Sequence, residues 1–507
     1  MINKIFKRTS ALLLVAVFTL QSCQDDFVNL QPLFSLDAVN NPSDMGELEQ
    51  VLDGAYANFR AADYYGSGSG TGGGAALMPD VMSDNLYETL LTLANSRDMA
   101  NFQFQQNTGQ ITGIYNAMYK VISVANVVIR DADKFTTPAN KKLANRIKGQ
   151  ALAIRALAHF DLFKYFAENF DRNSTTTLAL HYSKNFEVSS DAKPARLNNK
   201  LFYDELFADL NAAQALLADV DRNVNQGFTL TRPKLSLTAV HLLKARVSLY
   251  AGLFGDAITS ATAGIALAPA LANTQAAFSG MYNQTSAGEI IWNVQFDAGQ
   301  SGPTYIAFWP NTNRSYFRPA LEVATIDGTT GLVRNNDLRY AAYFGNFRMS
   351  TEVPSVPQAL ALTKYRGKGS VVDGNANFIA MKTAELYLIR AEAYARANPA
   401  QESLAMADLN ALRTARIAGY VNENLSGATL INAIADERRR EFIGEGHRFF
   451  DLKRTTRTLT RGSTCGVVAQ SPITRCSLTT TAREWTFPIT EPLLNANPNL
   501  VQNPSWR

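Results

Sequence analysis

ERRREFIGEGHRFFDLKR, residues 437 to 454, brings acids, bases and aromatic rings together in one short segment. Arginines 438 to 440 lie within one helical turn of Glu437 and Glu441, which predicts ion pairs along a helix. Gly444 and Gly446 are expected to end that helix before a new element begins at His447. Because arginine forks suit carboxylates and stack on rings, the segment indicates a helix junction locked by Arg–carboxylate bonds. The predicted inner face of the helix consists of Ile431, Ile434, Ala435, Arg438 and Phe442.

A catalytic cluster is the alternative for the same segment, with His447 acting beside Glu445 or Asp451. In the junction interpretation, Arg439 and Arg448 each hold a partly buried carboxylate instead. The rest of the sequence does not favour catalysis, because it contains no GxxxxGK, HExxH or GxSxG motif. A formal GxGxxG at residues 68 to 73 follows a helix rather than a strand and is flanked by serines, which favours a mobile loop over a dinucleotide site.

Helical periodicity extends through most of the chain. In the segment 111–135, Ile114, Met118, Ile122 and Ala125 recur at three- and four-residue steps. Segment 146–170 is the strongest helix, with Ala151, Ile154, Ala158, Leu162 and Phe166 on one face. Segments 45–59 and 200–220 follow the same pattern and complete a helical first half.

The second half contains a repeat-like helix pair at residues 241–269. Its tetratricopeptide spacing is carried by Gly252, Phe254, Ala257, Ile258 and Pro269. Small residues at such positions let paired helices approach closely. Residues 381–416 look like a second, degenerate pair, and such pairs stack because none buries its apolar face alone. The predicted fold is mostly α, with tetratricopeptide-like helix pairs, irregular loops and a few short strands.

Two irregular stretches interrupt the helices. YYGSGSGTGGG at 64–74 is flexible by composition, and residues 270–377 combine one predicted strand, EIIWNVQF at 289–296, with the aromatic run SGPTYIAFWPNTNRSYFRP at 301–319. Long loops of this kind within a compact protein are usually functional.

The N-terminus reads as a bacterial lipoprotein signal. A basic start and the ten apolar residues ALLLVAVFTL precede Leu20-Gln21-Ser22-Cys23, which resembles a lipobox. We expect residues 1–22 to be the signal peptide, Cys23 to be lipidated and 23–44 to be a tether; the alternative is an ordinary secreted protein with an incidental cysteine. Ten apolar residues are too few to span a bilayer.

Charge and cysteine content narrow the function further. Of 48 lysines and arginines, three lie in the signal peptide, which leaves 45 bases against 44 acids. This balance excludes a broad nucleic-acid-binding field. Besides Cys23 the chain has Cys465 and Cys476, an even pair in an exported protein, which predicts a disulfide. No histidine lies between them to complete a zinc site, and neither a metal nor a cofactor is predicted.

The quoted segment resembles the signature of the SusD/RagB family of surface nutrient-binding lipoproteins. KTAELYLIRAEAYARA, GQALAIRALAHFDLFKYFA and the tail WTFPITEPLLNANPNLVQNPSW support the resemblance, as does QDDFVNLQP after the lipobox. It implies one α-rich SusD-like domain over residues 45–507, with an N-terminal helical half to about residue 235 and a C-terminal half from 236.

The resemblance also implies a function. Family members lie on the outer face of the outer membrane, cap a SusC-like TonB-dependent transporter and capture glycans or other nutrients; they are not enzymes. The alternatives are a scaffold that binds peptides or another nutrient, an extracellular hydrolase and a structural adaptor. Missing catalytic motifs count against the hydrolase, and aromatic loops, suited to stacking on sugar rings, count against the adaptor.

Candidate ligand-binding residues come from the irregular stretches, because the family builds its ligand face from loops. Trp309 is the strongest, since a Trp-Pro-Asn turn favours exposure over a central strand. The complete predicted set is Asp80, Asp84, Asn85, Tyr87, Tyr305, Trp309, Asn311, Arg314 and Tyr316.

Overall fold

The computed structural model describes residues 42–507 apart from several stretches, and describes only the backbone of residues 308, 309 and 314. The stretches outside the description are 68–72, 91–95, 187–190, 219–231, 298, 301, 303–307, 310–313, 347–359, 464 and 467–470. The predicted signal peptide, Cys23 and most of the tether therefore lie outside the described residues. Within the described part, no helix combines the length and the apolar character that crossing a membrane requires.

The N-terminal half is helical. Helix α1 begins after Asp44, whose carboxylate accepts the Glu47 N–H at 2.8 Å and caps the first turn. The helices of this half are α1 (Met45–Asn58), α2 (Met78–Val81), α3 (Arg97–Ala100), α4 (Gly109–Asp131), α5 (Lys141–Phe166) and α6 (Asn199–Ala218).

Helix α5 lies at the centre of this half, between α4 and α6. Its predicted apolar face is buried, as expected, but polar side chains on its other faces are buried too. Arg155 pairs with Asp209 of α6 at 2.6 Å, so the buried charge has a partner. The helix ends at Phe166 rather than at the predicted residue 170, because the backbone at Ala167 turns to an extended conformation.

The C-terminal half contains the helix pairs. Its helices are α7 (Leu237–Tyr250), α8 (Phe254–Leu267), α9 (Gln275–Asn283), α10 (Leu338–Tyr343), α11 (Thr383–Arg396), α12 (Glu402–Arg416), α13 (Gly427–Glu441), α14 (Arg448–Arg454) and α15 (Glu491–Ala496). The two tetratricopeptide-like pairs are confirmed as α7–α8 and α11–α12, and α8 also packs on α11. Gly264 allows that approach, because a Cβ there would lie 2.7 Å from Leu386.

The strands are short and form antiparallel pairs. The predicted strand at 289–296 is confirmed as β2. The pairs are β1 (Leu86–Glu88) with β5 (Phe317–Pro319), β2 (Ile290–Val294) with β8 (Phe378–Lys382), β3 (Phe308–Trp309) with β4 (Arg314–Ser315), β6 (Phe344–Asn346) with β7 (Leu360–Leu362), and β9 (Leu459–Thr460) with β10 (Ser477–Leu478).

Both halves contribute to one main hydrophobic core. Its buried residues run from Met45 in α1 to Trp506 near the C-terminus. The Trp506 ring lies 5.8 Å from that of Phe104, and its Nε1 donates to Thr486 O at 2.8 Å. A second, smaller cluster fills the space between α11, α12 and α13.

The predicted helix junction in residues 437–454 is confirmed, although Arg438 and Arg439 pair with acids other than the predicted Glu437 and Glu441. Helix α13 ends at Glu441, and Gly444 and Gly446 take positive φ values of 74° and 77° before α14 begins. Arg440 pairs with Glu437 at 2.8 Å as predicted, whereas Arg438 donates to Asp451 at 3.1 Å. The helix rotates slightly from the predicted face, so that Leu430 is buried while Ile431 and Ala435 are only partly buried.

Candidate ligand-binding face

The irregular stretches of the sequence meet at one place in the fold. Ser67 Oγ donates to Gly302 O at 2.6 Å, and Gly302 N donates to Gly374 O at 3.1 Å. Asn375 Nδ2 donates to Asp297 O at 2.8 Å. We call the described residues of 64–74, 296–319 and 366–377 the loop face. Three segments that are far apart in the sequence thus lie together in the fold, with the described residues of 64–74 buried beneath exposed positions such as Asp297 and Asp373.

The two groups of predicted ligand residues are joined by the β1–β5 ladder. Tyr87 lies opposite Arg318 in this ladder. Beyond its end, Thr89 N donates to Tyr316 O at 2.8 Å and Thr89 Oγ1 donates to Ser315 O at 2.7 Å. The side chains of Tyr87 and Tyr316 are both buried. The structure therefore brings the two segments together, with these two rings packed against the interior.

Asp84 is held by residues 437–454, which we call the signature segment. Arg448 donates to its two carboxylate oxygens at 2.8 and 2.9 Å, and Arg439 Nη2 lies 3.4 Å from Asp84 Oδ2. Burial alone would raise the pKa of Asp84, but the charges of Arg439 and Arg448 outweigh it and lower that pKa to about 2. The expected partly buried carboxylate of both arginines is thus Asp84 itself.

The polar groups of Asp80 and Asn85 are also engaged in hydrogen bonds within the protein. Asn85 Nδ2 donates to Asp80 Oδ1 at 2.6 Å, and Gly446 N donates to Asp80 Oδ2 at 2.8 Å. Burial raises the pKa of Asp80 to about 6. Because their hydrogen bonds are made inside the protein, this geometry does not favour direct ligand contact by Asp80, Asp84 or Asn85. Such contact stays a prediction, and the role visible here is to fix the position of β1.

The aromatic run around Trp309 forms a small hairpin. Trp309 lies opposite Arg314 in the β3–β4 ladder, and β4 leads directly to β5. Tyr305 and Asn311 lie outside the described residues, and so do the side chains of Trp309 and Arg314. The backbone joins this hairpin directly to β5, so that it is continuous with the ladder that holds Tyr87.

Further polar side chains fix the loop face, although the sequence patterns did not single them out. Arg60 pairs with Asp297 at 2.9 Å, and Lys368 donates to the Phe296 carbonyl. Lys364 is buried beside the Tyr343 ring at 3.8 Å and pairs with Glu445 of the signature segment at 2.6 Å. Burial, partly offset by Glu445, lowers the pKa of Lys364 to about 7. Loop residues have no periodicity, so composition alone could not identify these contacts.

The signature histidine is placed for packing. The His447 ring stacks on Phe442 with ring centroids 4.2 Å apart, and burial lowers its pKa well below the ordinary value. Glu445 pairs with Lys364 and Lys382, and Asp451 pairs with Arg438 and Arg454. Among the hydrogen bonds of the described residues, none joins His447 to either acid. This geometry does not favour the catalytic alternative.

Cys465 and Cys476 form a disulfide in the structure, with Cα atoms 5.5 Å apart. The bridge lies next to the β9–β10 hairpin, where Arg461 N donates to Cys476 O at 2.8 Å. Among the described residues, no group of three or more His, Cys, Asp or Glu side chains could hold a metal ion.

The helix pairs and the loop face define an α-rich scaffold that presents a loop-built surface, and comparisons with known proteins identify its family. Residues 355–506 match the model of the "SusD family", and residues 44–246 match a SusD-like model described as "Starch-binding associating with outer membrane". The chain belongs to the SusD/RagB family.

Individual relatives agree with this assignment. SusD-like protein P38 of Formosa agariphila is 24% identical over 90% of this chain and 93% of its own length. A SusD superfamily protein from Bacteroides thetaiotaomicron superposes with a TM-score of 0.75 at 20% identity, over 91% of this chain and all of that one. A laminarin-binding SusD-like protein superposes with a TM-score of 0.65 at 19% identity, over 91% of this chain and all of that one. These similarities confirm the mostly helical fold class.

Proposed function

We propose that this chain is a surface-exposed lipoprotein of the outer membrane that captures an oligosaccharide or polysaccharide. The observation that carries the proposal is the loop face, where the glycine-rich stretch, the chain around Gly302 and the segment after β7 meet in a SusD-family scaffold. A loop-built surface with fixed polar groups and an aromatic-rich segment, residues 305–317, suits the hydroxyls and faces of sugars. The laminarin-binding relative and the starch-binding family description support a glycan over a peptide or another nutrient.

In this proposal the protein delivers its glycan to a SusC-like TonB-dependent transporter. Lipidation at Cys23 anchors it to the outer membrane, facing outwards, and residues 23–44 give the folded part reach above the bilayer. The protein binds its ligand without cleaving it. The engagement of the signature acids in ion pairs supports binding over hydrolysis, since neither Glu445 nor Asp451 is left to act on a bond.

The test is a binding and cleavage panel on the purified chain from residue 24. Laminarin, starch and other polysaccharides, together with peptides, are titrated by calorimetry while product release is followed by chromatography. We expect saturable binding of at least one glycan without any product. Binding of peptides alone would show that the nutrient is a peptide rather than a glycan. Product formation by a homogeneous preparation would overturn the assignment as a binding protein.

A further inference from the structure

A cleft of about 470 Å³ opens between α1 and β2, beside the loop face. Arg60 lies in its lining and links it to the loop face through the ion pair with Asp297. Tyr56, Lys234, Asn293 and Gln295 are also among the lining residues. The volume falls within the range typical of small-ligand sites, roughly 300–1,000 Å³.

Asn293, on β2, is the unusual residue of this cleft. The residue is 1% exposed, and among the described residues neither its Oδ1 nor its Nδ2 has a hydrogen-bond partner. Buried amides are nearly always paired, and an apolar side chain of similar shape would avoid the cost of leaving one unpaired. An asparagine at this position therefore favours an external partner that both donates and accepts hydrogen bonds.

The charges of the cleft favour a neutral partner. Lys234 pairs with Asp53, and Arg60 pairs with Asp297, so each cation is balanced by a carboxylate. Both carboxylate side chains are more than half exposed and can accept further hydrogen bonds from hydroxyl groups. The Tyr56 ring forms one wall, with the Lys234 ammonium 4.5 Å from its centroid. A sugar ring satisfies these conditions, because adjacent hydroxyls donate and accept at the spacing of one carboxamide.

We propose that this cleft is a carbohydrate subsite that seats one neutral sugar ring. Its hydroxyls pair with the Asn293 amide after that side chain turns toward the cleft, because both polar atoms of the amide are buried in the described conformation. The inference rests on the proposed glycan-binding function and adds a second contact point beside the loop face. A polysaccharide lying across the loop face would place one ring, a branch or a chain end, in the cleft.

Gly54 offers a test that leaves the fold intact. It lies on α1 in the lining of the cleft, and a Cβ built there has no atom within 4 Å. Gly54→Leu therefore fills part of the cleft, and replacing a helical glycine stabilises the helix. Titration with laminarin oligosaccharides and with glucose, galactose and mannose should show at least a fivefold loss of affinity, with a Tm equal to or above that of the wild type. The matched control is Gly255→Leu on α8, outside the cleft, where a built Cβ also has no atom within 4 Å; it should bind within twofold of the wild type.

Asn293→Leu tests the amide itself. We expect its Tm to be unchanged or higher and its sugar affinity to fall at least fivefold. Wild-type affinity in both Gly54→Leu and Asn293→Leu would overturn the subsite while leaving the proposed function in place. The Asn293 amide would then bind only a buried water. If the wild-type chain binds no sugar at all, the subsite and the proposed glycan function both fail.

Discussion

Asp84 joins two parts of the chain that lie 364 positions apart, through its bond with Arg448. Only 12% of the Arg448 side chain and 8% of the Asp84 side chain are exposed. Arg448→Ala leaves a buried carboxylate with one weaker partner, so we expect a loss of roughly 3 kcal/mol in the free energy of unfolding. Urea denaturation measures this loss. The exposed pair Lys200–Asp204 provides the control, and Lys200→Ala should cost less than about 1 kcal/mol.

Ligand affinity in the folded fraction of Arg448→Ala should stay close to that of the wild type, because Arg448 is largely buried and its charge is engaged by Asp84. A variant with an unchanged Tm that has lost all binding would move the ligand site to the signature segment. It would also overturn the structural interpretation of residues 437–454.

The same carboxylate makes stability depend on pH. The folded pKa of Asp84 is about 2, below the value of about 3.9 in an unfolded chain. Its contribution is therefore complete above pH 4 and is lost as the pH falls through the folded pKa. We expect Asp84→Asn to be less stable than the wild type at pH 7, with the difference shrinking between about pH 4 and pH 2. Urea titrations at several pH values provide the measurement, and a difference that stays constant down to pH 2 would contradict it.

Trp309 is the residue on which we expect glycan affinity to depend most. A stacked aromatic ring contributes about 0.5–1.5 kcal/mol beyond its burial, so Trp309→Ala should weaken glycan binding several-fold. Its Tm should stay within a degree or two of the wild type, because the β3–β4 hairpin is only two residues long on each side. Calorimetry and thermal melting test the two expectations together.

Trp485 is the matched control for that substitution. It is buried, its ring lies 5.0 Å from that of Phe449, and its Nε1 donates to Thr479 O at 2.7 Å. Trp485→Ala should cost about 3–5 kcal/mol of stability while the folded fraction keeps its affinity. If Trp309→Ala behaves like Trp485→Ala, Trp309 belongs to the core and the predicted site is wrong.

At the scale of elements, the disulfide should stabilise the β9–β10 region. Its cysteines are separated by 11 residues, and closing a loop of this length contributes roughly 2–3 kcal/mol. Cys476→Ser in the chain from residue 24 should lower the free energy of unfolding by about that amount. A thiol assay on unreduced, denatured wild-type protein should detect no free thiol, and two thiols per molecule would refute the bridge.

The long helices were predictable because their periodicity is visible in the sequence. The short helices were not predicted, and α9 and α10 lie within residues 270–377, where only irregular chain and one strand were expected, because helices of six to nine residues show too few turns for a periodic pattern. Ile114, Met118, Ile122 and Ala125 were placed on one face of α4 by spacing alone, and all four are buried. Most of the strands were not predictable, because strands of two to five residues pair with partners far away in the chain. Nothing local in Leu86–Glu88 indicates pairing with Phe317–Pro319.

The candidate site shows the same division. Sequence reasoning identified both Asp84 and Arg448 but gave them unrelated roles. A salt bridge between residues far apart in the chain leaves no recognisable pattern in one amino-acid sequence. Asn293 was missed altogether. A polar residue within an apolar strand can be recognised as unusual only when the structure shows that its amide has no hydrogen-bond partner among the described residues.

At the scale of the whole molecule, the anchor at Cys23 should determine where the protein resides. Cys23→Ala removes the predicted lipidation site, and acyl chains supply about 0.8 kcal/mol per buried CH₂. We therefore expect the variant in the soluble fraction of cells from which the transporter has been deleted, whereas the wild type stays with membranes after a salt wash. Retention of the variant in the washed membranes of those cells would contradict lipidation as the anchor.

In the export that we propose for this chain, the bond between Asp84 and Arg448 also sets an order of events. An exported chain leaves the translocation channel from its N-terminus, so β1 emerges long before β5 and the signature segment that hold it. The entropy of closing such long loops must be offset before these distant contacts can form. The loop face is therefore completed only after residue 454 has emerged, and the exported chain does not acquire its proposed glycan-binding surface before its translocation is almost finished.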